Sequence, residues 1–375
     1  MAAVEIAKEM ISFDTSGPPA KEKPLAVWIS DFLEDLGAEV TIQEVEPNRA
    51  NVVGKFGLDK GAGLLLSGHI DVVPPGEISS WKQSSPFDPV VKNGKLYGRG
   101  SVDMKGPDAC ILQAAKDIAK SNFKRRLVLA FTAGEDTGGW FVTRVIDDKL
   151  VTRKDARFGV IPEPSMMSIV RTHKGSGGAS VGIHGRASHS SRPELGINAI
   201  LNASDYIQEL NKLQRQLAKT QHPLLGYTTI KPTLIKGGFK SNIIPDYCEI
   251  TINVRTIPRH SKSSVLERWL QKISNKLAVK DPTFKAEIRN VQASTALNVS
   301  ENAEIVTILR DLLGTKPVGV PYYTEAVSYT NSGIPTVICG PGDIAQAHSS
   351  DEYITLEQLA KGTRTFHKLI EKTCL

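Results

Sequence analysis

The sequence predicts an α/β protein: a mainly parallel sheet flanked by helices, with a smaller α+β domain inserted into it. Three observations predict this. The apolar runs "GLLLSG" (63–68), "LVLAFT" (127–132) and "FGVI" (158–161) are continuous rather than alternating, as strands buried on both faces are. They alternate with stretches of helical periodicity, the order that parallel strands with helical crossovers produce. From about residue 175 the texture changes to β-α-β-β-α-β over about 110 residues, a compact split unit of antiparallel character. A chain of 375 residues exceeds one typical domain. The expected division is 1–174 for the first part of the larger domain, 175–288 for the insertion and 289–375 for the second part.

The elements follow in order. Residues 3–12 and 21–37 have helical periodicity, and "AEVTIQEV" (38–45) alternates like a strand. "NVVGKF" (51–56) and 63–68 read as strands, and 105–120 as a helix rich in Ala, Leu and Ile. Within the insertion, "SGGASVGIHG" reads as a strand and 193–218 as a long amphipathic helix. Alternating strands follow near 228–236 and 246–255, then a helix over 261–277 and a strand over 283–290. A helix over 301–313 and the run "PTVIC" (335–339) return to the earlier style.

Composition excludes several classes. Hydrophobic residues at 40% and charged residues at 23% are ordinary for a globular protein. No stretch approaches the roughly 20 apolar residues needed to span a bilayer. The opening "MAAVEIAKEMISF" carries acidic residues among its apolar ones, unlike an export signal. Cys110, Cys248, Cys339 and Cys374 are scattered without a CxxC pair, so free thiols in a reducing cytoplasm are expected. The net charge is +6, yet Lys and Arg occur all along the chain without a zinc-finger or aromatic-interleaved basic motif, which argues against nucleic acid. It suits solubility and the attraction of anionic small molecules.

The chemistry gathers at strand ends. The run 63–68 delivers His69 and Asp71; "LVLAFT" runs into Glu135 and Asp136; "FGVI" runs into Glu163; "PTVIC" runs into "GPGDIAQAH", ending at His348. In open parallel sheets the carboxyl edge is where ligands bind. A fifth segment, "GKLYGRGSVDMKG", places Asp103 in a Gly-rich loop just before a helix. Two histidines and several carboxylates, with no cysteine among them, suit Zn²⁺, Co²⁺ or Mn²⁺ with positions open for hydrolysis. Each residue alone has a plainer reading. Glu135 and Asp136 could open a helix, Asp71 could cap a turn, and Glu163 could sit in a rigid loop between prolines. Their joint placement favours a metal site.

"SGHIDVVPPG", "LYGRGSVDMKGP", "TAGEDTGG", "IPEPS" and "TEAVSYTNSGIPTVICGPGDIAQAHSSDEYI" stand in register with one family. The chain resembles, over essentially its whole length, the metallopeptidases and deacylases that include acetylornithine deacetylase, succinyl-diaminopimelate desuccinylase, aminoacylase-1 and the glutamate carboxypeptidases. The resemblance implies the di-zinc peptidase fold with an inserted lid and dimerisation domain, two divalent cations with Zn²⁺ expected, and a homodimer. It implies His69 and Glu163 as ligands of the first metal, Asp136 and His348 as ligands of the second, and Asp103 as the bridge. Glu135 is implied as general base, and Asp71 as the partner that fixes the His69 tautomer. The family usually has Glu-Glu where this chain has Glu135-Asp136.

In the inserted domain the resemblance implies that His189 reaches a partner subunit's active site to stabilise an oxyanion, that Asn242 touches substrate, and that Arg255 grips a substrate carboxylate with its guanidinium fork. Gly340 would let backbone approach the substrate closely. The expected reaction is hydrolysis of an N-acyl amino acid. The motif pattern leans to acetylornithine deacetylase, and Glu325 is expected either to meet a cationic substrate or to form a buried ion pair. Succinyl-diaminopimelate desuccinylation or peptide cleavage is the alternative. A catalytically silent binding module would be expected to lack ligands or base, and none is missing.

Overall fold

A computed structural model describes residues 2–375, in two compact units. The first comprises the chain up to Arg171, Val299–Val318 and Thr324–Leu375; the second comprises Thr172–Asn298 and Gly319–Tyr323.

In the first unit, α1 (Ala2–Ser12) and α2 (Lys23–Asp35) precede β1 (Glu39–Glu46), β2 (Arg49–Phe56) and β3 (Gly61–His69). Then come α3 (Lys105–Ile118), β4 (Arg125–Thr132), β5 (Ala156–Pro164) and β6 (Val170–His173), whose last two residues belong to the second unit. Pro24 lies in the first turn of α2, where a missing N–H costs nothing. The continuous runs in β3, β4 and β5 are buried on both faces, because they form the centre of the sheet. β4, β3 and β5 pair parallel; β1 and β2 form an antiparallel ribbon added at the edge of β4. Helix α3 is buried almost throughout.

In the second unit, β7 (Gly175–His184) is followed by α4 (Ala199–Leu217), β8 (Thr229–Gly237), β9 (Tyr247–Thr256), α5 (Ser263–Lys280) and β10 (Lys285–Ala293). The β-α-β-β-α-β order expected for the insertion is present. The four strands form an antiparallel sheet in the order β8-β9-β7-β10. α4 and α5 cover one face, burying Tyr206, Leu210, Leu266 and Leu270 against Val181, Ile250 and Ile252. α4 starts six residues later than periodicity suggests: Pro193 opens a short 3-10 turn, and Asn198 accepts from the Ile200 and Leu201 amides as the true cap. The return strand β11 (Leu297–Asn298) pairs with Thr172 and His173, so the chain leaves and re-enters this unit side by side.

The first unit then resumes with α6 (Glu304–Leu313), β12 (Thr336–Gly340) and α7 (Leu356–Cys374). β12 inserts parallel to β5 and completes the buried centre of the sheet. The order β1-β2-β4-β3-β5-β12 therefore places a late strand next to an early one. All four cysteines are buried and unpaired. No helix among the described residues is long and apolar enough to cross a membrane.

Candidate metal centre

β3 ends on His69, β4 runs into the Glu135–Asp136 loop, and β5 carries Glu163 next to its last residue. β12 leads through a short 3-10 turn (Ile344–Gln346) to His348. Asp103 sits immediately before α3, in a loop between strands and helix. Parallel strands point the same way, so their carboxyl ends converge.

Asp103 lies at the centre of the convergence. Its Oδ1 is 3.2 Å from His69 Nε2 and its Oδ2 is 3.2 Å from His348 Nε2. Glu163 Oε1 is 3.7 Å from His69 Nε2, and Asp136 Oδ1 is 3.1 Å from His348 Nε2. Two groups of three therefore each bring ligand atoms within 4.8 Å of one another: His69, Asp103 and Glu163, and Asp103, Asp136 and His348. The shared member is the one carboxylate with an oxygen facing each histidine.

The surroundings hold this arrangement in place. His69 Nδ1 lies 3.0 Å from the Asp71 backbone carbonyl and 3.5 Å from its carboxylate, leaving Nε2 toward Asp103. The carbonyl, more than the carboxylate, selects the tautomer. The Asp71 carboxylate does something the sequence did not suggest. Its Oδ1 accepts from the Glu135 amide, and its Oδ2 from the Asp136 amide, the Thr137 amide and the Thr137 hydroxyl. It fixes the loop that carries Glu135 and Asp136. Gly134, at φ +82°, permits that loop's turn, because a Cβ there would stand 2.7 Å from the Gly138 carbonyl.

Glu352 is a residue that sequence reasoning missed. Its Oε1 accepts from the Val102 and Asp103 amides at 2.9 and 3.1 Å, while its Oε2 pairs with buried Arg99 at 2.5 Å. No spacing rule signals a carboxylate that acts on backbone amides 249 residues away.

The electrostatics are those of a site crowded with negative charge. Burial works to strip the proton from His69, but hydrogen bonds to Asp103 and Asp71 outweigh it and hold the imidazole's pKa well above its ordinary value. Hydrogen bonds to Asp103 and Asp136 raise His348 to about 10. Burial alone would raise Asp103, yet its bonds to His348 and His69 keep it well below the carboxylate range. Glu163 and Glu135 are pushed well up, first by burial and then by neighbouring carboxylates. Asp136 Oδ2 has no hydrogen-bond partner among the described residues. Five carboxylates (Asp71, Asp103, Glu135, Asp136, Glu163) against two imidazoles are short of positive charge. Nitrogen and oxygen donors with a bridging carboxylate suit divalent cations, so the residues fit two such ions.

The remaining expected site residues fall elsewhere. Gly340 is buried in β12; its N–H donates to Ser165 Oγ and its carbonyl accepts from Met167 N at 2.8 Å. A Cβ there would stand 1.8 Å from the Pro162 carbonyl. The glycine is needed for strand packing beside Glu163, and its N–H is taken up by Ser165. Glu325 is buried, accepts from Thr132 Oγ1 at 2.6 Å, and has no ion-pair partner among the described residues. It is neither half of a buried salt bridge nor open to a substrate cation. Asp108, also buried, has no hydrogen-bond partner for either oxygen among the described residues.

In the second unit, His189 and Asn242 meet on a small antiparallel ribbon: His189 pairs with Ile243, and the Ser190 amide donates to the Asn242 carbonyl. Both side chains are exposed, and His189 Nδ1 is 2.7 Å from Ser191 Oγ. Arg255 is half-buried near the end of β9, between Thr229 and Ser176.

The profile of peptidase family M20/M25/M40 matches residues 65–372, which span every strand end just described. The chain belongs to this family. The M20 chain, a hydrolase by that membership, is 32% identical over 349 residues to acetylornithine deacetylase of Myxococcus xanthus, covering 92% of this chain and 87% of that one. It is 33% identical over 387 aligned positions to acetylornithine deacetylase of Proteus mirabilis, covering 99% and 95%. Its fold matches a dinuclear metal binding peptidase of the M20 family from Bacillus subtilis with a TM-score of 0.71, at 17% identity and over 98% and 96% of the two chains.

Proposed function

We propose that this M20 chain hydrolyses the amide bond of N-acyl amino acids, and that its preferred substrate is an N-acetylated basic amino acid of the acetylornithine type. The observation that carries the reading is Asp103, with one oxygen on each histidine. It supports a site for two divalent cations, Zn²⁺ by preference, with His69 and Glu163 on one, Asp136 and His348 on the other, and Asp103 between. Such cations supply Lewis acidity and lower the pKa of water.

The chain's own residues would do the rest. Glu135 Oε takes a proton from the attacking water and returns it to the departing amine nitrogen, so one carboxylate serves as base and then as acid. Asp71 keeps Glu135 aimed through its amide. His189 would donate a hydrogen bond to the developing oxyanion, Asn242 would bind substrate and Arg255 would pair with its carboxylate. The first and third parts of the expected division (1–174 and 289–375) would form the catalytic body, and 175–288 the lid.

The substrate assignment rests on the two deacetylase relatives, since Glu325 is occupied with Thr132. Desuccinylation or dipeptide cleavage is the second reading. Side-by-side turnover of N-acetylornithine, N-succinyl-diaminopimelate and dipeptides separates them; faster turnover of the succinyl substrate or a dipeptide would reverse the ranking. Glu135→Gln is expected to keep its metal content and lose roughly 10²–10⁴-fold in kcat, and an active variant would remove Glu135 from this role.

We propose as well that the protein is a homodimer through the second unit. Edge strand β8 exposes Leu234 and Ile235, and Phe239 and Leu201 stand exposed in the same unit. An apolar, unpaired strand edge invites a second copy.

A further inference from the structure

The chain's excess positive charge is concentrated in one place. Residues 199–220 carry Lys212, Arg215 and Lys219 against Asp205 and Glu209, a net +1; residues 258–280 carry six cations against Glu267, a net +5. Together they equal the +6 of the whole chain, so the remainder is neutral. These stretches contain α4 and α5 and the turn before α5, and between the helices lies a cavity of about 530 Å³.

The floor of this cavity is apolar: Leu213 and Leu217 from α4, and Val265, Trp269 and Ile273 from α5. Trp269 packs against the core of the second unit, and the His260 ring meets it edge-on at 5.3 Å. His260 is itself held by a contact of 3.0 Å from Nδ1 to Thr228 Oγ1. The rim is cationic: Lys212, Arg259, Arg268, Lys272 and Lys276, with Glu209 the one carboxylate. Glu209 is shared by Lys212 and Lys276, at 2.7 and 2.6 Å. Arg268 uses its Nε on the Ser264 carbonyl; among the described residues, Arg259, Arg268 and Lys272 have no carboxylate partner. The rim therefore carries a net charge of +4 around one concavity.

The occupant this arrangement fits has several negative charges and one flat apolar portion. A cavity of this size suits a single small molecule. An inorganic polyphosphate would satisfy the rim and leave the Trp269 floor uncovered. A nucleic acid strand needs cations tracking an extended path, whereas these ring one cavity. None of Leu201, Leu234, Ile235 and Phe239, the residues proposed for dimerisation, lines the groove.

We propose that the groove between α4 and α5 binds a nucleoside polyphosphate, with its phosphates on Arg259, Arg268 and Lys272 and its base against Trp269. The test uses the full-length, metal-loaded protein with ATP and excess Mg²⁺, followed by calorimetry and by tryptophan fluorescence. The expected result is one ATP per chain. Arg268→Glu with Lys272→Glu should weaken binding about tenfold or more and leave hydrolysis without nucleotide unchanged, which shows the variant is folded. Trp269→Phe should abolish the fluorescence response, and inorganic triphosphate should bind about tenfold more weakly than ATP. Absence of ATP binding by the wild type overturns the proposal. So does equal binding by the double variant, which would put the nucleotide elsewhere, and so does equal affinity for triphosphate, which would remove the base from recognition. Binding of a single-stranded RNA that ATP does not displace overturns it in favour of a polymer surface.

Discussion

At the scale of single residues, Asp71 shows how one buried carboxylate can organise a site without touching its centre. It accepts from three consecutive backbone amides and one hydroxyl in the Glu135–Thr137 loop. Asp71→Asn replaces an acceptor with an NH₂ group facing donors, so the loop must move. The expected loss is about 10- to 100-fold in activity, with lower metal content, checked by steady-state kinetics and elemental analysis of the same sample. Glu325 makes a different prediction. Burial raises its pKa from the ordinary glutamate value to about 7, so between those values the native state binds a proton that the unfolded state has released. Stability then falls as pH rises through that window, a cost of up to about 3 kcal/mol by the linkage relation. In metal-free protein, Glu325→Gln should be the more stable form at pH 8 and nearly equal to wild type at pH 4.5, as read from denaturant midpoints. A pH-independent difference would show that Glu325 does not titrate there.

At the scale of elements, much was legible and the limits have physical causes. The buried strands β3, β4, β5 and β12 were readable because a strand covered on both faces has no polar alternation to confuse it. The donors at their ends were readable for the same reason: a polar residue straight after a continuous apolar run stands out. The start of α4 was misplaced because helical periodicity extends through Pro193–Ile197, where Gly196 and the Asn198 cap decide the boundary. Glu352 and the loop-holding work of Asp71 were invisible, since a side chain that bonds to backbone amides imposes no residue type on its partner. Gly340 was legible as special, and the structure adds a packing reason that the sequence did not signal. Strand β12 packs so closely on β5 that Gly340→Ala would drive a methyl into the Pro162 carbonyl. Destabilisation of about 1–3 kcal/mol is expected, with loss of activity as Glu163 shifts; thermal melting and turnover measured together would check it.

At the scale of the whole molecule, the chain builds two units with different surface habits. The first buries its apolar strands at the centre of a large sheet. The second leaves the edge strand β8 and the neighbouring Phe239 open. Leu234→Asp with Phe239→Asp is expected to convert a dimer to a monomer in light scattering while leaving the fold intact, because neither side chain is buried within its own unit. A wild-type protein that is already monomeric at micromolar concentration would refute the interface.

The debt of Asp103 to Glu352 has a consequence for how the protein is made. Asp103 is translated early, but the Glu352 carboxylate that holds its amide comes 249 residues later, with the His348 imidazole it faces close by in the sequence. A nascent chain stalled on the ribosome before residue 340 has neither. The donor group of Asp103, Asp136 and His348 is therefore complete only once this late segment has joined the early one, whereas His69, Asp103 and Glu163 are all present beforehand.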